Sequence, residues 1–245
     1  MGAPEVDLRR KRDLGDLLGT AFALFGRHST VFFTMTLIVV APAVLLIDGL
    51  WGRQLAEGAD ADPETGSMVV SLLLTGLLIP AFVTALHVRV VLGLAEGSEP
   101  TVGGAFSGIA DRVGPALGAI LAYSAVVLIG FVAFIVPGIY LSIRCFFAAQ
   151  SAVVEGTSPV ASLQRSAELV KGSWWRVFGL LLVAGLLAGV VAAVIEAIAG
   201  TVGDGVVYVV VRIVIESLTL SFIALFGTLL FFDLRNRAAA AQPAL

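Results

Sequence analysis

Four ionisable residues of this 245-residue chain lie inside apolar runs: Arg144, Glu196, Arg212 and Glu216. Charge in hydrocarbon is costly, so such groups normally face a bundle interior or a water-filled cavity. Arg212 and Glu216 are four apart, share a helix face and can pair. On helices, Glu196 falls about one turn, Arg144 about one and a half turns and Arg212 about two turns from the outer end of their spans. These residue types allow two chemistries. One is a polar pathway or substrate site. The other is snorkelling to the nearby surface plus ion pairs that fix helix register. Two Arg against two Glu fits mutual neutralisation.

Other reactive groups are sparse. His28 and His87 are the only histidines. His87 lies two residues before Arg89 near one end of a span and reads as an interface residue rather than a base or ligand. His-Glu-x-x-His, Gly-x-Ser-x-Gly and a phosphate loop are all absent. The glycine-rich segment from Gly200 to Gly205 lacks the closing Lys-Ser/Thr and reads as a turn. Cys145 is the single cysteine, so neither an internal disulfide nor zinc-knuckle spacing is possible. No catalytic residue, metal or cofactor is expected. Net charge −3 gives no basis for nucleic acid binding.

The elements that must hold these groups follow from composition. Apolar residues make up 58% and charged residues 13%, against about 45–50% and 25% in a soluble domain. Mean hydropathy is +1.01. That charge cannot cover a water-facing surface, which excludes a soluble globular enzyme and a disordered chain. A crossing helix needs about 20 apolar residues. Six runs qualify: 30–47, containing Pro42; 68–92, with Pro80 as a kink; 115–136; 139–154; 174–199; and 206–232. Pro137-Gly138 is expected to be the whole turn of a tight hairpin between the third and fourth.

Charge sets the orientation. With six crossings, twelve of the fifteen cations fall on one side: Arg9, Arg10, Lys11, Arg12, Arg27, Arg89, Arg112, Arg165, Lys171, Arg176, Arg235 and Arg237. Only Arg53 falls opposite, in a loop that also holds Asp48, Glu57, Asp60, Asp62 and Glu64. The bias predicts a multi-pass protein of the cytoplasmic (inner) membrane with both termini cytoplasmic. The Arg9–Arg12 run is followed by Asp13 and Asp16 rather than by an apolar core, which is not a signal-peptide pattern.

The chain also repeats itself. Glu96-Gly97-Ser98-Glu99-Pro100 and Glu155-Gly156-Thr157-Ser158-Pro159 are offset by 59 residues, and the same offset carries Arg112 onto Lys171. After each comes a short helical segment and then a span; the segment from Asp13 to Gly26 precedes the first span likewise. These segments read as amphipathic helices, or else as plain connecting loops. Asp13 and Ser158 are their expected caps. The expected apolar stripes are Leu14, Leu17, Leu18, Ala21 and Phe25; Val102, Ala105, Phe106 and Ile109; and Val160, Leu163, Ala167 and Val170. Such helices suit the headgroup region. Gly114/Gly118 and Gly185/Gly189 have the spacing of close helix contacts, and Trp174-Trp175-Arg176 that of an interface anchor.

The expected fold class is therefore all-α: a polytopic membrane helical bundle, six transmembrane helices in three hairpins, each preceded by a cytoplasmic-side amphipathic helix. Its parts are a basic tail over 1–12, one integral membrane domain over 13–234 with units 13–94, 101–155 and 158–234, and a tail over 235–245.

Several stretches resemble the bacterial and archaeal membrane family named after the membrane domain of glycerophosphoryl diester phosphodiesterase. They are Val136-Pro137-Gly138-Ile139-Tyr140-Leu141-Ser142-Ile143-Arg144, Val154-Glu155-Gly156, Leu163 through Gly172, Phe232-Asp233-Leu234-Arg235 and the opening Leu14-Gly15-Asp16-Leu17-Leu18. In some relatives this domain precedes a soluble phosphodiesterase barrel. That barrel's acidic metal cluster and paired histidines are absent here and the chain ends at Leu245, so the resemblance implies a standalone membrane domain and not the activity in the family's name.

The expected function is a non-enzymatic scaffold, accessory subunit or lipid-organising protein. Inner-leaflet lipid would meet Arg9, Arg10, Lys11, Arg12, Arg165, Lys171, Trp174, Trp175 and Arg176. The alternative is a small transporter or permease subunit using Arg144, Glu196, Arg212 and Glu216. A lipid-modifying membrane enzyme ranks third. Expected partners are membrane lipid and a membrane or cytoplasmic protein.

Overall fold

Asp13 begins the first helix as its sequence suggests. Its carboxylate accepts from the Asp16 N–H at 2.8 Å, and α1 (Leu14–Arg27) follows. The structure is a computed structural model and describes residues 6–46, 76, 78–201 and 206–241. All secondary structure among them is helical, with no strand. At His28 the chain bends by 86° into α2 (Ser29–Leu45). The acidic loop around Arg53 and the run 68–75 lie outside the described residues. α3 (Ile79–Ala95) carries the rest of the second expected span. Next come α4 (Val102–Ile109), a 3₁₀ turn (Ala110–Arg112) and α5 (Val113–Ala133). Then follow α6 (Ile135–Cys145), α7 (Ala148–Glu155), α8 (Pro159–Val170), α9 (Trp174–Gly200) and α10 (Val206–Ala241).

Four described helical stretches are long and apolar enough to cross a membrane: Val102–Ala133, Ile135–Glu155, Trp174–Ile195 and Val206–Ala240. The bent pair α1–α2 makes five if it is one broken span. The chain is a multi-pass membrane protein by this measure.

α10 is the central element, packed on α1, α2, α3 and α9. Its Leu225, Phe226, Leu229, Leu230 and Phe231 are fully buried. In lipid, burying them gains packing rather than removal from water. α1 reaches well along this helix. Arg12, just before the cap, binds Asp233, and Phe22 at the other end lies 4.7 Å from Phe222 between ring centres. Those anchors are eleven residues apart on α10, about 16 Å of helix rise. α1 therefore runs obliquely down α10 and not flat across it.

Three expectations change. The turn between α5 and α6 is not Pro137-Gly138. The chain breaks at Phe134, which is extended (φ −175°, ψ 158°), and Pro137 and Gly138 lie in the first turns of α6. Pro tolerates that place because early N–H groups lack helical partners. Gly138 is the contact point of the hairpin: an added Cβ would fall 2.5 Å from the Phe131 ring, and one at Gly130 would fall 3.0 Å from the Gly138 Cα, so the helices cross closely there. Second, the face that α8 buries is Ser162, Ser166, Leu169 and Val170; of the expected stripe Val170 is buried, Leu163 and Ala167 are half-buried and Val160 is 63% exposed. Third, of the four spaced glycines only Gly118 meets a close neighbour, the Pro159 ring; Gly114, Gly185 and Gly189 have none within 4 Å.

The 59-residue repeat reappears in the backbone. Gly97 (φ 74°) and Gly156 (φ 66°) both end a helix in the left-handed region. At the first, Ser98 N–H bonds the Gly93 carbonyl at 2.9 Å, closing the helix end.

Candidate functional site

The densest polar cluster lies where the N-terminal segment meets the end of α10. Asp233 is fully buried. Its carboxylate accepts from Arg176 Nη1 at 2.9 Å, from Arg237 Nε at 2.8 Å and from the Arg12 backbone N–H at 2.7 Å. The Arg12 carbonyl in turn accepts from Arg176 Nη2 at 2.9 Å and Arg237 Nη2 at 2.7 Å. Arg12 Nη2 donates to the Asp7 carbonyl, and Asn236 Nδ2 to the Leu8 carbonyl. Residues 6–12 are thus strapped to α9 and α10 rather than trailing as a tail. A second hub, Glu155, receives Arg165 Nε at 3.0 Å and lies 3.7 Å from Arg235 Nε, joining α7, α8 and α10.

These hubs divide the nine expected lipid contacts. Arg12, Arg165 and Arg176 are held in internal bonds, and Arg12 is buried, so it is not a lipid contact. Arg9, Arg10, Lys11, Lys171 and Trp175 remain exposed, with Trp175 at 78%. Arg10 also pairs with Asp16 at 3.1 Å. Trp174 is half-buried between the Tyr140 and Phe178 rings, and its Nε1 donates to the Tyr140 carbonyl at 3.3 Å.

The four intramembrane residues are distributed as follows. Arg212 and Glu216 line one cleft of about 360 Å³ between α9 and α10, with Ala192, Thr219, Leu220 and Ile223. Arg144 lies on α6, where Nη1 donates to the Tyr140 hydroxyl at 2.7 Å beside the Trp174 stack. Its helix packs on α5, α8 and α9. The side chain of Glu196 lies outside the described residues, as does the 202–205 part of the glycine-rich turn.

No family model, curated protein or solved structure matches the chain.

Two features were missed by sequence reading. His87 is not at an interface: it is fully buried, stacked on Phe32 with ring centres 5.2 Å apart. Its Nδ1 lies 2.8 Å from the Val83 carbonyl, which can only accept, so Nδ1 carries the proton. Nε2 lies 2.9 Å from the Ser221 hydroxyl oxygen, and that hydroxyl donates to the Phe32 carbonyl at 3.1 Å. One ring thereby ties α3, α10 and α2. The other is the break between α6 and α7. Ser166 of α8 bridges it, donating to the Arg144 carbonyl at 2.9 Å and accepting from the Phe147 N–H at 3.0 Å. Irregular backbone within a membrane protein survives only where protein groups satisfy it. Among the described residues no three His, Cys, Asp or Glu side chains group as metal ligands.

Proposed function

We propose that this chain is a non-enzymatic protein of the cytoplasmic membrane that organises anionic lipid at the inner leaflet, as a scaffold or accessory subunit. In this reading it crosses six times with both termini in the cytoplasm. The observation that carries it is the division of the basic end. Arg12, Arg165 and Arg176 fix the framework through Asp233 and Glu155, while Arg9, Arg10, Lys11, Lys171 and Trp175 stay exposed on that framework. Exposed cations near an anionic surface contribute about 1 kcal/mol each, and Trp favours the headgroup level. The strap between residues 6–12 and α10 brings the two ends of the described chain together, which fits an even number of crossings. The resemblance to the phosphodiesterase-associated membrane family belongs to the same proposal. Three of the stretches that carry it meet in space, Ser166 bonding Arg144 and Arg165 pairing with Glu155.

The test is native mass spectrometry of the protein released from nanodiscs of phosphatidylglycerol and phosphatidylcholine. Phosphatidylglycerol should be retained selectively, and a triple Arg9→Ala, Arg10→Ala, Lys11→Ala chain should lose the preference. Equal retention of both lipids by the native protein would refute the reading.

A second reading rests on the Arg212–Glu216 cleft. If it passes solute, Arg212→Gln should abolish ion leak across proteoliposomes while leaving the melting temperature in place. A structural pair would show the opposite.

A further inference from the structure

A separate cavity of about 90 Å³ lies between α3, α5, α7 and α10. Gln150 lines it and is 1% exposed. Among the described residues neither Oε1 nor Nε2 of its carboxamide has a hydrogen-bond partner. An unpaired amide in an apolar interior is strongly disfavoured, and such a group in a native fold calls for an occupant. Tyr123 and Thr84 line the same space. Thr84 donates to the Pro80 carbonyl at 2.7 Å, which leaves its oxygen able to accept. The opposite wall is apolar, formed by Phe146, Leu220 and Ile223. Among the described residues lining it there is no Asp, Glu, Lys, Arg or His.

We propose that this cavity binds a small uncharged amide of the acetamide or urea class. One edge of a carboxamide offers an N–H donor beside a carbonyl acceptor. A second amide answers both with a paired N–H···O=C ring, and a methyl group or second nitrogen then faces the remaining wall or the hydroxyls. An ion would find no countercharge there. The volume of about 90 Å³ equals about three waters at ~30 Å³ each, the size class of one such solute. Leu220 and Ile223 line both this cavity and the Arg212–Glu216 cleft, so these two side chains of α10 lie between the two spaces.

The experiment is saturation-transfer NMR on the full chain in lipid nanodiscs, with acetamide as probe and acetate as its charged counterpart. Transfer to acetamide and none to acetate is expected. Gln150→Leu should reduce the acetamide signal several-fold while melting no lower than the native protein, because it removes an unpaired group and keeps the volume. Ile223→Trp, which fills the space and leaves Gln150 in place, should also suppress it. Three results would overturn the proposal. They are acetamide transfer that survives both substitutions, transfer to acetamide no greater than to acetate in the native chain, and a Gln150→Leu protein melting well below the native one.

Discussion

Asp233 shows how much a single side chain organises here. Its carboxylate has three partners, two guanidinium groups and a backbone N–H, drawn from three parts of the chain. Replacing it by Ala strands them together. Removing one partner of a buried ion pair costs about 3–5 kcal/mol; because Arg176 and Arg237 are 30% and 37% exposed, the lower end applies, about 3 kcal/mol. Denaturant melts of Asp233→Ala in detergent micelles should show that loss, and an unchanged midpoint would mean the cluster is not holding the strap. Gly156→Ala is the second residue-scale test. The position has φ 66°, and a Cβ there would overlap the Arg112 guanidinium. The strain of a left-handed L residue is about 1–2 kcal/mol, so a Tm drop is expected, with Gly103→Ala, whose added Cβ would meet nothing within 4 Å, as the neutral control. Neither partnership could be read from sequence. Asp233 lies 221 residues from Arg12 and 57 from Arg176, and nothing local marks the pairing. What the sequence did mark at Gly156 was the repeat, because backbone conformation is a local property.

At the scale of elements, the caps Asp13 and Ser158 stand where their residue types suggest, and the stripe Val102, Ala105, Phe106 and Ile109 does pack inward. The third stripe holds only in part: Val170 is buried and Leu163 and Ala167 are half-buried, but Val160 faces out. α8 turns Ser162 and Ser166 inward because the break between α6 and α7 needs hydrogen-bonding groups more than it needs apolar ones, and lipid can take Val160. A helical wheel ranks faces by hydrophobicity and so fails where the neighbouring surface is exposed backbone. Ser166→Ala should therefore be worse than a surface Ser→Ala change. It leaves the Arg144 carbonyl and Phe147 N–H without this partner, a penalty of about 1–3 kcal/mol. Hydrogen exchange read at the Phe147 amide should speed up in that variant; exchange at the native rate would show that Ser166 does not hold the break. The hairpin turn was misplaced for a related reason. Pro-Gly signals a turn, but here Pro137 lies in the first turn of a helix and Gly138 admits the Phe131 ring.

For the molecule as a whole, composition alone separated a membrane bundle from a soluble domain, since charge content is a global constraint. The number of crossings is not fixed that way. Four described helical stretches qualify, and a fifth only if the 86° pair α1–α2 is one span. The bend falls at His28, between α1 and α2, and span counting does not see it. Topology gives the first prediction at this scale. Lys171 is exposed at the basic end, so a Lys171→Cys chain should react with a membrane-impermeant maleimide in inverted vesicles and stay silent in intact spheroplasts. The reverse pattern would place that end outside. The most direct test of lipid organisation uses Trp175. Arg176 binds the Arg12 carbonyl, which sets the start of α9 beside the Arg9–Lys11 run. Tryptophan quenching by brominated phosphatidylglycerol should exceed quenching by brominated phosphatidylcholine, and the difference should vanish in high salt, where the screening length shrinks to about 3 Å at 1 M, and in the triple alanine chain. Equal quenching by the two lipids in the native protein at low salt would contradict it.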